Sequence, residues 1–172
     1  DIARGLELPE SALEPIAEDF NRRLVLSTDD ENLYMDMMKA GGEDNSARLV
    51  AEYLRQCGAE AHYLDPGEGG MILSDAPGNA RVLQQSYGKL HQLRERPGIT
   101  IVPGFFGHST TGRVVTFPRG GAEITGAILA AAVDAEVYEN FTDVDSIFAA
   151  NPALVEKPVA VDAPGVRSVL ES

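Results

Sequence analysis

The chain has 172 residues, 44% hydrophobic and 24% charged, a balance that is typical of one globular domain and excludes an intrinsically disordered chain. Its formal net charge is −13, and so acidic a surface makes nucleic acid and anionic membranes poor partners. The single cysteine excludes an internal disulfide, and the lack of a signal peptide or a long apolar run predicts a cytoplasmic protein without a membrane span.

The negative charge is concentrated near the start of the chain. Residues 1–44 carry 12 acidic and 4 basic side chains, which is a net charge of −8. We therefore expect residues 1–44 to form an acidic helical segment with a solvated surface. Residues 45–157 are then predicted to form an α/β core, and residues 158–172, which are weakly patterned, a C-terminal tail.

Apolar periodicity in the first half predicts mostly helices. Gly41-Gly42 separates two of them, Thr28 or Asp29 is the expected N-cap of the second helix, and Gly58 ends the third. Cys57, at the end of that third helix, is expected to be buried and inert. The predicted elements are helices at 9–26, 28–39, 45–57 and 78–96, strands at 60–64 and 71–73, and a loop at 66–70.

The second half alternates short apolar runs with glycine-rich loops. The helix predicted at 124–133 is apolar nearly all round, as expected for a helix that is packed against a sheet. The predicted strands are 99–102, 113–117 and 136–141, and a loop is predicted at 104–107. This order of elements predicts an α/β fold with a mainly parallel sheet.

Three loops follow predicted strands, where open α/β sheets bind ligands. They are residues 103–107, 119–123 and 142–145. In the second loop, two glycines before a helix expose backbone N–H groups, and Arg119 suits a carboxylate or phosphate. A tight strand-to-helix turn with a surface arginine explains the same residues equally well. Glu123 is either a helix-start acid or a competitor of an incoming anion.

The spacing of acidic residues and histidines in the sequence gives little support for a metal site. Asp143 and Asp145 can hold Mg²⁺ through water or accept from a ribose hydroxyl, and an Asx turn is an equal alternative. The three histidines, His62, His91 and His108, lack metal-ligand spacing and are expected to be structural or exposed. No direct metal site is predicted.

Three blocks of sequence carry a resemblance to a known family: residues 42–65, residues 101–107 (IVPGFFG) and residues 116–152. They resemble the kinase domain of aspartokinases, which are members of the amino acid kinase family. The resemblance implies a three-layer α/β/α fold with a mainly parallel sheet, here incomplete. It also implies phosphoryl transfer from ATP, with Mg²⁺, to L-aspartate to give 4-phospho-L-aspartate, the first step toward lysine, threonine and methionine.

The same resemblance assigns roles to individual residues. Its substrate-binding positions are Glu43, Phe105, Arg119, Gly120, Gly121, Ala122 and Glu123, with Arg119 gripping the substrate carboxylate and Phe105 lining the pocket. Its nucleotide-binding positions are Thr142, Asp143 and Phe148.

Departures from the family pattern affect the expected activity. The family's Lys-Phe-Gly-Gly-Ser-type loop has no counterpart, so no catalytic residue is assigned and activity is expected to be weak or absent. Gly121-Ala122-Glu123 stands where the family has Gly-Ser-Asp, which removes a hydroxyl and lengthens an acid. The alternative is a non-catalytic kinase-like fragment or engineered module that keeps part of the aspartate and nucleotide pocket; a related carboxylate or phosphate kinase is a third reading. A homodimer is favoured over a monomer, because an uncovered sheet edge can pair with another copy.

Overall fold

The computed structural model describes residues 2–25 and 29–141, which contain six α-helices and five short β-strands. The chain divides into two compact units, Asp1–Tyr138 and Glu139–Ser172, and all of these elements belong to the first. None of the helices in the described ranges is long and apolar enough to cross a membrane. The helices are α1 Ile2–Gly5, α2 Glu14–Val25, α3 Glu31–Gln56, α4 Pro66–Gly69, α5 Gln85–Leu90 and α6 Gly121–Ala132; the strands are β1 Ala61–Tyr63, β2 Ile72–Leu73, β3 Ile99–Ile101, β4 Phe106–Ser109 and β5 Val114–Thr116; and 3₁₀ turns occupy Glu10–Ala12 and His91–Glu95.

The helix α3 is continuous over 26 residues, so the predicted break at Gly41-Gly42 is wrong. Gly41 is buried, and a Cβ atom there would lie 3.2 Å from the Arg23 side chain of α2. Packing of α2 against α3 thus outweighs the helix-breaking tendency of two glycines, about 1 kcal/mol each. The helix α3 passes through the predicted boundary at residues 44 and 45 without interruption. The division of the chain into residues 1–44, 45–157 and 158–172 stays a prediction.

The ends of α3 agree only in part with the predicted caps. Asp30 is the N-cap, and its carboxylate accepts from the backbone N–H of Asn32 at 3.1 Å. The prediction of Thr28 or Asp29 as the N-cap is therefore wrong. Gly58 follows the helix with a left-handed φ of 87°, as predicted. Cys57 is exposed rather than buried, because the helix ends there at the protein surface.

The strands form two small sheets. In the first, β1 and β3 are parallel, with Tyr63 opposite Ile101. In the second, β2 is parallel to β4, and β4 is antiparallel to β5. The strands predicted at 60–64, 71–73, 99–102 and 113–117 are confirmed, and so is the α/β class. The loop predicted at 104–107 is shorter than expected because β4 begins at Phe106.

A buried carboxylate joins α3 to the second sheet. Asp36 is 1% exposed and accepts from the backbone N–H of Gly78 at 2.7 Å and of Thr116 at 2.8 Å. The Thr116 hydroxyl donates a third hydrogen bond at 2.9 Å. These donors compensate the burial of the Asp36 carboxylate and fix the helix against β5.

Three further predicted elements are wrong. Residues 78–84 are not helical, since a turn at Gly78 and tertiary hydrogen bonds hold them otherwise: the N–H of Ala80 donates to Thr116 O at 3.0 Å and that of Leu83 to Ile72 O at 2.9 Å. The loop predicted at 66–70 contains the one-turn helix α4, capped by Asp65. Residues 136–141 form no strand, because no neighbouring strand pairs with them in the described ranges.

The helix α6 is confirmed, and its residues Ile128 and Ala132 pack into one core cluster with residues of the second sheet. The helix predicted at 9–26 is also confirmed, as α2 preceded by a 3₁₀ turn. The main core cluster consists of Met71, Leu73, Ala80, Leu90, Val115, Phe117, Ile128 and Ala132.

Candidate functional site

The loop after β3 and the first turn of α6 are joined by a threonine of that helix. The backbone N–H of Phe105 donates to Thr125 Oγ1 at 3.0 Å, and the Thr125 hydroxyl donates to the Gly121 carbonyl at 2.7 Å. The N–H of Phe117 donates to the Phe105 carbonyl at 2.9 Å. Thr125 is buried, so these bonds are shielded from water. Thr125 is absent from the predicted site residues, although a buried hydroxyl in an apolar helix is the signal that marks it.

Both glycines of the turn before α6 are required by the geometry. Gly120 has a φ of 85°, a left-handed conformation that side chains disfavour. A Cβ atom on Gly121 would lie 2.6 Å from Phe117 Cβ and 2.9 Å from Phe105 Cδ2. Phe105 itself has a φ of 74°, which is rare for a residue other than glycine and is held by the hydrogen bonds of the loop. The turn therefore places an aromatic ring directly against the helix N-terminus.

The start of α6 presents opposing charges to an anion. The N-cap is Gly120, which has no side chain to accept from the first-turn N–H groups, and these groups form the positive end of the helix dipole. Arg119, just before the cap, is exposed and adds a guanidinium. Glu123 is also exposed and places a carboxylate in the same first turn. Burial and the Glu123 carboxylate raise the pKa of Tyr138, whose hydroxyl donates to the Glu123 carbonyl at 3.4 Å.

The predicted substrate-binding residues are only partly assembled. Phe105 and Gly121 are in contact, and a Cβ atom on Gly104 would lie 3.0 Å from Ala122 Cα, so loop and helix pack closely. Glu43 lies on an exposed side of α3, and in the described part of the chain no hydrogen bond or ion pair connects it to the turn. The predicted nucleotide-binding residues Thr142, Asp143 and Phe148 lie outside the described residues.

A buried ionic network between α2 and α3 is absent from the predicted site. The Arg23 guanidinium donates to Asp19 at 2.6 Å and to Asp44 at 2.9 Å, and Asn45 Nδ2 donates to Asp19 at 3.1 Å. Burial opposes ionisation of Asp19, but hydrogen bonds from Arg23 and Arg22 hold its pKa below the usual value. In the sequence, the i, i+4 spacing of Asp19 and Arg23 indicates an ion pair on one face of a helix. The same spacing is equally typical of an exposed ion pair, so it does not predict burial.

The network continues to a tyrosine of β1. The Tyr63 hydroxyl donates to Asp44 and accepts from Arg48 Nη2 at 3.0 Å, while the Arg48 guanidinium stacks 4.0 Å from the Tyr63 ring centroid. Burial and the neighbouring Asp44 carboxylate raise the pKa of Tyr63, so the phenol stays protonated at neutral pH. The Tyr63 hydroxyl is thus a fixed hydrogen-bond donor to Asp44 and does not act as an acid or a base near neutral pH.

Beside this network lies a cavity of about 690 Å³ that also reaches β4. His108 Nε2 on β4 is 3.4 Å from Asp65 Oδ1, and Asp65 also caps α4 by accepting from the N–H of Gly67 at 2.8 Å. Asp65 raises the pKa of His108 although burial lowers it. Burial opposes ionisation of Asp65, but His108 and the backbone N–H groups of Glu68 and Gly67 together hold its pKa below the usual value. Apart from Glu68, the charged side chains around this cavity form ion pairs within the protein, which favours a structural role.

The described residues do not supply a direct metal site. Within residues 2–25 and 29–141, no group of three or more His, Cys, Asp or Glu side chains is placed to hold a metal ion. The groups of the described site are donors, an aromatic ring and the Glu123 carboxylate, and the donors suit the binding of an anionic group.

The described residues form an α/β fold in which an aromatic loop packs on a glycine-initiated helix N-terminus. The model of the amino acid kinase family matches residues 3–171. The chain therefore belongs to the amino acid kinase family.

The chain is similar to bacterial aspartokinases in sequence. It is 45% identical to Aspartokinase 3 of Bacillus subtilis (strain 168) over 170 residues, which are 99% of this chain and 37% of that protein. It is 36% identical to an aspartokinase of Mycolicibacterium smegmatis over 80% of this chain and 33% of the relative. The chain thus spans about a third of the length of the curated relatives it matches.

The solved structures that this chain resembles are also bacterial aspartokinases. Aspartokinase III of E. coli in complex with aspartate and ADP (R-state) matches with a TM-score of 0.69 and 29% identity, over 89% of this chain and 34% of that one. Clostridium acetobutylicum aspartate kinase matches with a TM-score of 0.64 and 28% identity, over 91% of this chain and 33% of that one.

Proposed function

We propose that the chain supplies the aspartate-binding part of an aspartokinase-type phosphotransferase, which uses ATP and L-aspartate. The observation that carries this proposal is the 45% identity to Aspartokinase 3 of Bacillus subtilis over 99% of the chain. That span takes in Phe105 and the Arg119-Gly120-Gly121 turn. The structure of the E. coli relative is a complex with aspartate and ADP, which are the acceptor and the nucleotide product of the proposed reaction, and this supports the proposal.

The turn before α6 is the proposed aspartate site. Arg119 offers a planar fork to a carboxylate of aspartate, and the first-turn N–H groups of α6 add the positive end of a helix dipole. Phe105 forms an apolar wall against that turn. The Glu43 carboxylate is suited in charge to the substrate ammonium group, in agreement with the resemblance that assigns it to aspartate binding.

The chemistry of the proposed reaction depends on positioning. A β-carboxylate oxygen of aspartate attacks the γ-phosphorus of ATP, the bond to the β–γ bridging oxygen breaks, and ADP leaves with 4-phospho-L-aspartate as the product. The residues of this chain would bind and orient the aspartate. Bound Mg²⁺ supplies charge neutralisation in such reactions, but the described residues hold no acidic cluster that fits it. The nucleotide-binding roles of Thr142, Asp143 and Phe148 stay predictions, as do the homodimer and the cytoplasmic location.

A second candidate function is binding without turnover. Ala122 and Glu123 favour it, because the first turn of α6 has a methyl group in place of a hydroxyl and an exposed carboxylate that repels an anionic substrate. A non-catalytic kinase-like module would keep the aspartate pocket and lack phosphoryl transfer.

A thermal-shift series followed by an ADP-release assay separates the two functions. A ligand that binds only the native state at ~100 times its Kd stabilises it by about 2.7 kcal/mol, which raises the melting temperature by several degrees. We expect L-aspartate to raise the melting temperature of the wild type and of Arg81→Gln, an exposed control, but not of Arg119→Gln. ADP release with aspartate and Mg·ATP supports the kinase, and a shift without release supports the binding module. The absence of any aspartate shift contradicts both.

A further inference from the structure

A second cavity, of about 490 Å³, lies between the 3₁₀ turn Glu10–Ala12, the C-terminal half of α3, and β1. It is here called the basic cavity, and its charged and polar lining includes Ser11, Arg48, Glu52, Arg55, His62 and Arg96. None of these residues belongs to the turn before α6 or to the loop at Phe105. The basic cavity is therefore a different place on the molecule from the proposed aspartate site.

The basic cavity reverses the charge of the protein locally. Three arginines and one glutamate line it, in a chain whose net charge is −13. The glutamate, Glu52, is already engaged, because its carboxylate accepts from Arg55 Nε at 3.2 Å and from Arg55 Nη2. Arg55 Nη1 donates to the Ala61 carbonyl at 3.2 Å, so both members of this ion pair are engaged within the protein. Arg96 makes no ion pair in the described part of the chain, and Arg48 shares the single carboxylate of Asp44 with Arg23, so net positive charge remains at the cavity to attract an anion.

Those two arginines also have donors without acceptors. Arg48 is fixed in place, since it stacks on the Tyr63 ring and donates to the Tyr63 hydroxyl at 3.0 Å, yet its Nε is buried and makes no hydrogen bond. The Arg96 side chain is exposed and makes no hydrogen bond or ion pair within the described ranges. A buried guanidinium N–H without an acceptor is costly, and an oxyanion is the group that satisfies it best.

We propose that the basic cavity binds a small oxyanion, a carboxylate or a phosphate, through Arg48 and Arg96. The fork of a guanidinium matches two oxygens of either group, and the Ser11 hydroxyl offers a further donor at the cavity wall. Arg48 is held rigidly by Tyr63 and Asp44, so one side of the site is preorganised.

Titrations with inorganic phosphate and with malonate test this site. Ionic strength is held constant with NaCl, because added salt alone screens repulsion in so acidic a protein. The melting temperature gives the affinity, and the Nε–Hε resonances of ¹⁵N-labelled arginine report directly on Arg48. Arg96→Gln removes an exposed side chain without a partner, so the variant is expected to fold, and Arg81→Gln is the matched control. We expect saturable binding to the wild type and to Arg81→Gln, and at least about tenfold weaker binding to Arg96→Gln.

The outcomes distinguish a phosphate ligand from a carboxylate ligand, and the basic cavity from the turn before α6. Saturation by phosphate alone, by malonate alone or by both, with loss in Arg96→Gln, supports the site and identifies its ligand class. A response no larger than that of matched NaCl overturns it, and so does an equal effect of Arg96→Gln and Arg81→Gln. Binding that is lost in Arg119→Gln but kept in Arg96→Gln places the anion at the turn before α6 and also overturns the proposal.

Discussion

The turn before α6 and the network between α2 and α3 are held by different forces. At the turn, backbone groups, one hydroxyl and the absence of side chains on Gly120 and Gly121 position an exposed arginine. In the network, buried charges of Asp19, Arg23 and Asp44 fix two helices against each other. At the turn, local geometry leaves the Arg119 guanidinium and the first-turn N–H groups available to a ligand. In the network, the charged side chains are paired with one another within the protein.

The largest effect is expected in the network. Arg23→Ala leaves the buried carboxylates of Asp19 and Asp44 without their shared counter-charge, and we expect a loss of about 3–5 kcal/mol in the free energy of unfolding. Urea denaturation measures it. Arg22→Ala is the control, because the Arg22 side chain is 69% exposed, and its loss should stay below about 1 kcal/mol. Equal losses in the two variants would show that the network is not a structural centre.

The next effect concerns the turn. Gly121→Ala places a Cβ atom 2.6 Å from Phe117 Cβ, and we expect overpacking to destabilise the protein by about 1–3 kcal/mol. Gly42→Ala is the matched control, because its Cβ atom meets nothing within 4 Å in the middle of α3. That control should stabilise the protein by roughly 0.5–1 kcal/mol. The two alanine variants, compared by urea denaturation, must therefore differ in sign.

A smaller effect is expected from the hydroxyl that joins loop and helix. Thr125→Val keeps the side-chain shape but leaves the Phe105 N–H without its acceptor, so we expect a loss of about 1–2 kcal/mol. Thr125→Ser keeps the hydroxyl and should retain amide protection at Phe105. Hydrogen exchange of the Phe105 amide is the readout, and unchanged protection in Thr125→Val would mean that the loop is held by other contacts.

The smallest effect is a pH dependence at β4. The pKa of His108 is raised above its ordinary 6.5, mainly by Asp65, and Asp44 and Glu68 also face it. Its stabilising contribution is therefore complete below about pH 6.5 and is lost as the pH rises through the folded-state pKa. Because the pair is partly exposed, the contribution stays below about 1 kcal/mol. The stability difference between wild type and His108→Gln should shrink from pH 6 to pH 8 in urea denaturation, and Asp65→Asn should abolish that trend. A difference that grows with pH would reverse the assignment.

Local patterns predict much of the fold and part of the site. The strands β1, β3 and β5 and the helix α6 follow from short-range hydrophobicity, and the turn at Gly120 follows from two adjacent glycines. These features depend on neighbours in the chain, so a single sequence contains the information. Phe105 and Gly121 each lie in a loop after a predicted strand, and the resemblance to aspartokinases assigns both of them to one substrate site.

The remaining features depend on contacts between distant residues. The continuity of α3 through Gly41 rests on packing against Arg23, and the non-helical course of residues 78–84 rests on hydrogen bonds to Asp36 and Thr116. Asp19 and Asp44 fall within the segment predicted to be solvated, yet both are buried, because periodicity does not tell a buried ion pair from an exposed one. Glu136 to Phe141 has strand-forming residues, yet Val137 is 73% exposed and no strand pairs with it in the described part of the chain.

Calorimetric titration of L-aspartate into the wild type, Arg119→Gln and Arg81→Gln tests the central claim most directly. We expect saturable binding to the wild type, unchanged binding to Arg81→Gln, and at least about tenfold weaker binding to Arg119→Gln, because the guanidinium bond to the substrate carboxylate is lost. Absence of binding to the wild type, or equal affinity in all three proteins, would contradict the assignment of the turn before α6 as an aspartate site.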